Sequence, residues 1–118
     1  MVCYSNLETA KQWWIETFDC RPAKVPEDWD NRLPSDIALK LPGDSEPTIL
    51  LCDRAEVQKA GFERQNDHPI VFSDKLKKAR EYLLSKGMAA GPIQGGGGTE
   101  FFEIRDSESN VIEICKEL

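Results

Sequence analysis

The chain repeats itself. From Tyr4 it reads YSNLETAKQWWIETFDC, and from Phe72 it reads FSDKLKKAREYLLSKGM; in both, an aromatic residue leads through Ser and Asn or Asp into an amphipathic helix. Leu7, Ala10 and Trp14 recur as Leu76, Ala79 and Leu83, at the i, i+3, i+7 spacing that gathers apolar side chains on one helix face. Ser5 followed by Glu8 makes a capping-box pattern, and Ser73 or Asp74 is placed to cap the second helix. Gly87 takes the C′ position of that helix, and Asp19 holds the matching place in the first. The chain is therefore expected to be two copies of one unit, about 68 residues apart.

Each copy continues in the same order. The first half predicts a short strand around Arg21 to Val25, a loop rich in Pro and Asp, a strand from Asp36 to Leu41, a PGDSEP turn and a strand from Thr48 to Cys52. The second half opens with a strand from Asp67 to Phe72 and a helix from about Asp74 to Lys86. It continues with a short strand near Ala90 to Ile93, a Gly-rich loop, a strand from Glu100 to Arg105, a DSESN turn and a last strand from Val111 to Lys116. Both halves read β-α-β-β-β, an α+β chain with module one at 1–53 and module two at 67–118. The polar segment 54–66 is expected to link them, with one helical turn around Ala55 to Lys59. One such unit cannot cover both faces of its sheet. The expected architecture is thus a single domain, 1–118, in which two modules form a curved mixed sheet around a central cavity with the helices outside.

Charge narrows the partners. The 118 residues carry a formal net charge of −6 and no Lys/Arg stripe, so no nucleic-acid partner is expected. No apolar run approaches the length of a membrane span and no signal peptide is recognisable, which predicts a cytoplasmic protein without a membrane partner. Cys3, Cys20, Cys52 and Cys115 are widely spaced, without a C-x-x-C pair, and read as small buried hydrophobes in a reducing compartment. The glycine run from Gly95 to Gly98 precedes a strand rather than a helix, so it reads as a mobile loop at the cavity mouth and not as a phosphate loop.

With these elements in place, the chain resembles the vicinal oxygen chelate superfamily, which includes glyoxalase I, fosfomycin resistance proteins, extradiol dioxygenases and bleomycin resistance proteins. The likeness spans nearly the whole chain and rests on SNLETAKQWW, on HPIVFSD, and above all on TEFFEIRDSESNVIEI, which is similar to the family's F-x-D-P-D-G-N-x-x-E ending. Ser107 and Ser109 stand where that ending usually has Pro and Gly. The resemblance implies a small-molecule-binding protein, as a homodimer. It further implies a divalent metal (Zn, Mn, Fe or Ni) held by ligands from the first and last strands of each half.

Carried over residue by residue, His68 matches the second-half His, and Glu113 matches the carboxylate of the final strand. The pair is the candidate metal-ligating and catalytic set, since imidazole and carboxylate suit such a metal and leave positions open for a substrate oxygen. The set is incomplete. The repeat offset puts the first-half counterpart of His68 before Met1, and the first half's last strand offers Leu50 or Leu51 where some members carry Glu or Gln. Either a longer chain supplies the missing His or the metal chemistry is lost, and a degenerate homologue without activity is a third outcome.

The function expected from these residues is small-molecule binding, with a metal-dependent lyase, isomerase or dioxygenase reaction if the metal is present. The alternative is a metal-free protein of the bleomycin-resistance type that sequesters a drug or metabolite through acidic and aromatic groups. Tyr4, Trp29, Phe72, Glu103 and Arg105 are the candidate ligand-binding residues beside His68 and Glu113. Tyr4 and Phe72 are taken as counterparts lining the cavity, and Trp29 as a lid or interface residue in the PEDWDNRLP loop. Glu103 and Arg105 face the cavity or not according to strand register.

Overall fold

The computed structural model describes residues 2–29, 32–43, 45, 47, 49–61, 69–96 and 98–117. His68 lies outside these residues, as do Asp67 and Thr48, where two of the expected strands were to begin. The chain divides into two compact units, Met1–Asp67 and His68–Leu118.

Unit 1 contains β1 (Val2–Tyr4), α1 (Leu7–Phe18), β2 (Arg21–Ala23), β3 (Ile37–Lys40), β4 (Ile49–Asp53) and α2 (Arg54–Ala60). Its four strands form an open sheet in the order β1-β4-β3-β2, with β1 parallel to β4 and the other pairs antiparallel. Unit 2 contains β5 (Ile70–Phe72), α3 (Leu76–Ser85), β6 (Gln94–Gly96), β7 (Thr99–Arg105) and β8 (Val111–Glu117), with the equivalent sheet order β5-β8-β7-β6. The expected α+β repeat of two β-α-β-β-β modules is what the chain forms.

Local chemistry moves several boundaries. Asn6, not Ser5, caps α1: its side-chain oxygen accepts from the backbone N–H of Thr9 at 3.1 Å. The helix then ends on Asp19 in the left-handed region, at φ 55°. At α3 the cap position falls to Lys75, which gives no side-chain hydrogen bond, while the Ser73 hydroxyl accepts from the Lys75 N–H at 3.3 Å. Gly87, at φ 85°, follows the last turn of α3 as its sequence position predicts.

Two elements differ more. The short strand expected near Ala90 to Ile93 is reduced to an isolated bridge between Ala90 and Ile104, and the pairing strand is β6, inside the glycine run. Gly95 pairs with Glu100 and Gly96 with Thr99, and Gly98 at φ 92° supplies the left-handed residue that a tight hairpin needs. The expected linker also has a structural role. Asp53 caps α2 by accepting from the Glu56 N–H at 3.1 Å, and Val57 of α2 is buried against Cys3 and Cys52, with Leu33 packed on the same cluster.

The turn between β7 and β8 is organised by one side chain. Buried Asp106 accepts from the N–H groups of Glu108 and Asn110, each at 2.9 Å, and from the Asn110 side-chain amide at 3.1 Å. Ser109 completes the turn at φ 65°, where glycine would be unstrained. None of the described helices is long and apolar enough to cross a membrane.

Candidate functional site

Strand alternation gives each sheet two faces, and α1 in unit 1 and α3 in unit 2 each take one of them. In unit 2 the face bearing Val71, Phe102, Ile104, Ile112 and Ile114 is buried, together with Leu76 and Leu83 of α3. The opposite face carries Ile70 and Phe72 from β5, Phe101, Glu103 and Arg105 from β7, and Val111, Glu113 and Cys115 from β8. This face is open: Ile70 is 48% and Phe72 62% exposed, and Phe101, Glu103 and Glu113 are half-buried.

Register places two carboxylates side by side. Glu103 lies directly opposite Glu113 across the β7–β8 pair, and Ile70 lies opposite Glu113 across the β5–β8 pair. The next row is Phe101, Cys115 and Phe72. Two anions thus sit in the middle of a three-strand surface, flanked by aromatic and aliphatic side chains. Directly opposed like charges destabilise a sheet. Among the described residues neither glutamate makes an ion pair. Arg105 shares their face but its Nη1 donates to the Ser109 carbonyl at 3.0 Å, which holds the β7–β8 turn. The Cys115 thiol is pushed up from its ordinary value by burial and, secondly, by the negative charge of Glu113.

The sequence-predicted residues separate accordingly. Phe72, Glu103, Arg105 and Glu113 share one face of one sheet. His68 is outside the described residues. Tyr4 corrects the expected pairing with Phe72: it is fully buried on the helix side of its sheet, where its hydroxyl accepts a hydrogen bond from Trp14 Nε1 at 2.9 Å. The parity slips because α1 begins two residues after Ser5 and α3 three residues after Ser73, so the aromatic-Ser match is out of step with the helix match. The helix spacing aligns Cys3, not Tyr4, with Phe72. Trp29 is 41% exposed in unit 1, with its backbone N–H bonded to the Pro26 carbonyl at 3.2 Å.

Two features escaped the sequence reading. The Glu103–Glu113 opposition depends on the β7–β8 register, which a seven-residue ladder fixes but residue order alone does not. A cavity of about 360 Å³ lies on the other side of the same sheet, at the start of α3, lined by Lys75, Lys77, Lys78, Glu100 and Lys116 among others. None of the predicted site residues lines it. Lysines at a helix start gave no signal distinguishable from an ordinary solvated face.

Among the described residues no group of three or more His, Cys, Asp or Glu side chains is arranged to hold a metal ion. Glu103 and Glu113 alone do not fit a firm divalent site, which needs more protein donors, and no reaction step is assigned to a metal.

No family model matches this sequence and no curated protein matches it. Solved structures do. A lactoylglutathione lyase from Agrobacterium tumefaciens has a TM-score of 0.73 at 15% identity, with 98% of this chain and 88% of that chain covered. An antibiotic binding protein, TnmS3, from a Streptomyces species has a TM-score of 0.72 at 16% identity, covering 99% and 91%. A glyoxylase/bleomycin resistance protein/dioxygenase domain from a Frankia species has a TM-score of 0.68 at 18% identity, covering 99% and 93%. At these identities the likeness establishes the fold, which is that of the vicinal oxygen chelate proteins, and leaves activity to the site.

Proposed function

We propose that the protein binds a small organic cation on the open face of its second sheet, with Glu103 and Glu113 as the anionic centre and Ile70, Phe72 and Phe101 as the apolar floor. The observation that carries this reading is the register that sets the two carboxylates opposite one another without a cationic partner among the described residues. A cation entering between them relieves their mutual repulsion and gains Coulomb attraction to both carboxylates. Exposed aromatic surface favours a ligand with a flat apolar body, and a ring face attracts a cation as well. The net charge of −6 steers such a ligand toward the protein. That one structural neighbour is an antibiotic binding protein is in keeping with sequestration as a use of this fold.

The test is calorimetric titration with benzyltrimethylammonium and with its uncharged carbon isostere. The cation should bind and the isostere should bind far more weakly. Glu113→Gln should reduce affinity roughly 10-fold, the effect of removing one of the two negative charges that attract the quaternary ammonium. Equal binding of both probes would remove the carboxylates from the site. Metal analysis of the purified protein, with His68→Ala beside it, addresses the alternative: metal bound by the parent and lost in the variant would move Glu113 from cation recognition to metal ligation.

A further inference from the structure

The face of the unit 1 sheet that points away from α1 holds two thiols. Cys3 of β1 and Cys52 of β4 are register partners on adjacent parallel strands, 49 positions apart in sequence, with their Sγ atoms 3.1 Å from each other. Both are buried, at 5% and 0% exposure, under Val57 of α2 and Leu33. We propose that this pair is a latent disulfide site, at which a peroxide oxidant links β1 to β4 and the linked product keeps the native pairing of the two strands.

The geometry favours the bond. Neighbouring strands run about 4.7–4.9 Å apart, inside the Cα separation of about 4.4–6.8 Å that disulfides span. The sulfurs stand only about 1 Å beyond the bonded distance of about 2.05 Å, so the bond requires a small side-chain adjustment. Unit 2 lacks the second sulfur: Cys115 is the corresponding last-strand thiol, and its partner across the strand pair is Phe72.

The chemistry balances with one peroxide. The Cys3 thiolate attacks a peroxide oxygen, the O–O bond breaks, and a proton is taken up to release water and leave a sulfenic acid. The Cys52 sulfur then attacks the sulfenic sulfur, the S–O bond breaks, and the hydroxide departs with the Cys52 proton as a second water. Two thiols and one peroxide become one disulfide and two waters. Burial slows the first step, because sulfurs enclosed beneath Val57 and Leu33 are out of reach of a dissolved peroxide. Oxidation therefore proceeds through local opening of β1, a three-residue edge strand, or of the seven-residue α2. Once formed, the link closes a long loop and stabilises unit 1 mainly by restricting the unfolded chain.

The experiment exposes the native protein to hydrogen peroxide, with and without mild urea, and then alkylates remaining thiols under denaturing conditions for peptide mass spectrometry. The expected product is a Cys3–Cys52 linked peptide lighter by two hydrogens, with Cys20 and Cys115 recovered alkylated. Urea should accelerate its formation, and Tm should rise by several degrees and fall back on reduction. A Cys20→Ala/Cys115→Ala variant, which leaves the pair intact, should behave in the same way, and Cys52→Ser should show no Tm rise on oxidation. Recovery of all four thiols, a different linked pair, over-oxidation of Cys3 without linkage, or a linked product with unchanged Tm would overturn the proposal.

Discussion

In unit 1 the sheet face turned away from the first helix carries Cys3 and Cys52, and the chain folds Val57 and Leu33 over it; in unit 2 the corresponding face carries Ile70, Phe72, Glu103 and Glu113 and remains accessible. The modules repeat strand order and helix placement, yet they differ in what the last strand presents. Equivalent segments read Ile49-Leu50-Leu51-Cys52 and Ile112-Glu113-Ile114-Cys115, and the register partner of Leu50 is Ala38 where that of Glu113 is Glu103, so two apolar residues in unit 1 stand where unit 2 has two carboxylates. The segment after β4 is α2, which contributes cover, whereas β8 runs to the last described residue. The same scaffold occurs twice, and side-chain chemistry distinguishes the copies: the unit 1 face is covered and the unit 2 face is exposed.

The largest test of this division is in the helices. Trp14 on α1 is fully buried, packs against Phe18 with ring centroids 5.2 Å apart and donates to Tyr4, while its counterpart Leu83 on α3 is a buried aliphatic without such a bond. Trp14→Ala should cost about 3–5 kcal/mol in urea denaturation and Leu83→Ala about 2–4 kcal/mol. A larger loss at Leu83 would show that unit 2 carries the greater share of stability, contrary to that division.

A sharper contrast lies on the opposing faces. Val57→Ala removes two methyl groups from the cluster over Cys3 and Cys52 and should cost about 1.5–2 kcal/mol. Phe72→Ala, at a side chain 62% exposed, should change stability by no more than about 0.5 kcal/mol and yet weaken binding of the benzyltrimethylammonium probe. Similar costs at both positions would mean that the unit 2 face is packed in solution.

These assignments also mark what was legible in the residue order. The repeat, its helix faces and the β-α-β-β-β sequence of elements were readable because buried helix positions recur at fixed spacing and because β7 and β8 alternate cleanly about Phe102, Ile104, Ile112 and Ile114. Parity at β1 was not readable: aligning on the aromatic-Ser pair places Tyr4 with Phe72, and a one-residue slip exchanges the faces of a strand. Strand β6 was hidden because glycine has low strand preference, and only its pairing with β7 draws Gln94–Gly96 into the ladder. Glu113 stood out in sequence as a carboxylate within an apolar run. Its neighbour Glu103 gained meaning only from register.

Turn chemistry offers a smaller comparison between the modules. The β7–β8 turn holds Ser109 at φ 65°, a conformation that costs a side-chain-bearing residue about 1 kcal/mol relative to glycine. Ser109→Gly should therefore raise stability by about 0.5–1 kcal/mol, because the Arg105 contact is to the backbone carbonyl and survives the change. Thermal unfolding would measure it, and a destabilised variant would show that the serine hydroxyl contributes more than the strain removes.

The smallest expected effect on stability bears most directly on the open face. If Glu103 and Glu113 repel each other across the ladder, neutralising either one should stabilise the folded protein, by about 0.3–0.8 kcal/mol given that both are half-buried and screened by water. The same Glu113→Gln change should lower affinity for the cationic probe, so stability and binding should move in opposite directions. Added salt should shrink the stability difference, since it screens the repulsion that the substitution relieves. A structural glutamate with a compensating cation predicts the reverse: Glu113→Gln would destabilise, because a partner charge would be left uncompensated. The sign of one small stability change, read beside one binding constant, therefore separates a face kept in electrostatic tension for a ligand from one that is merely acidic.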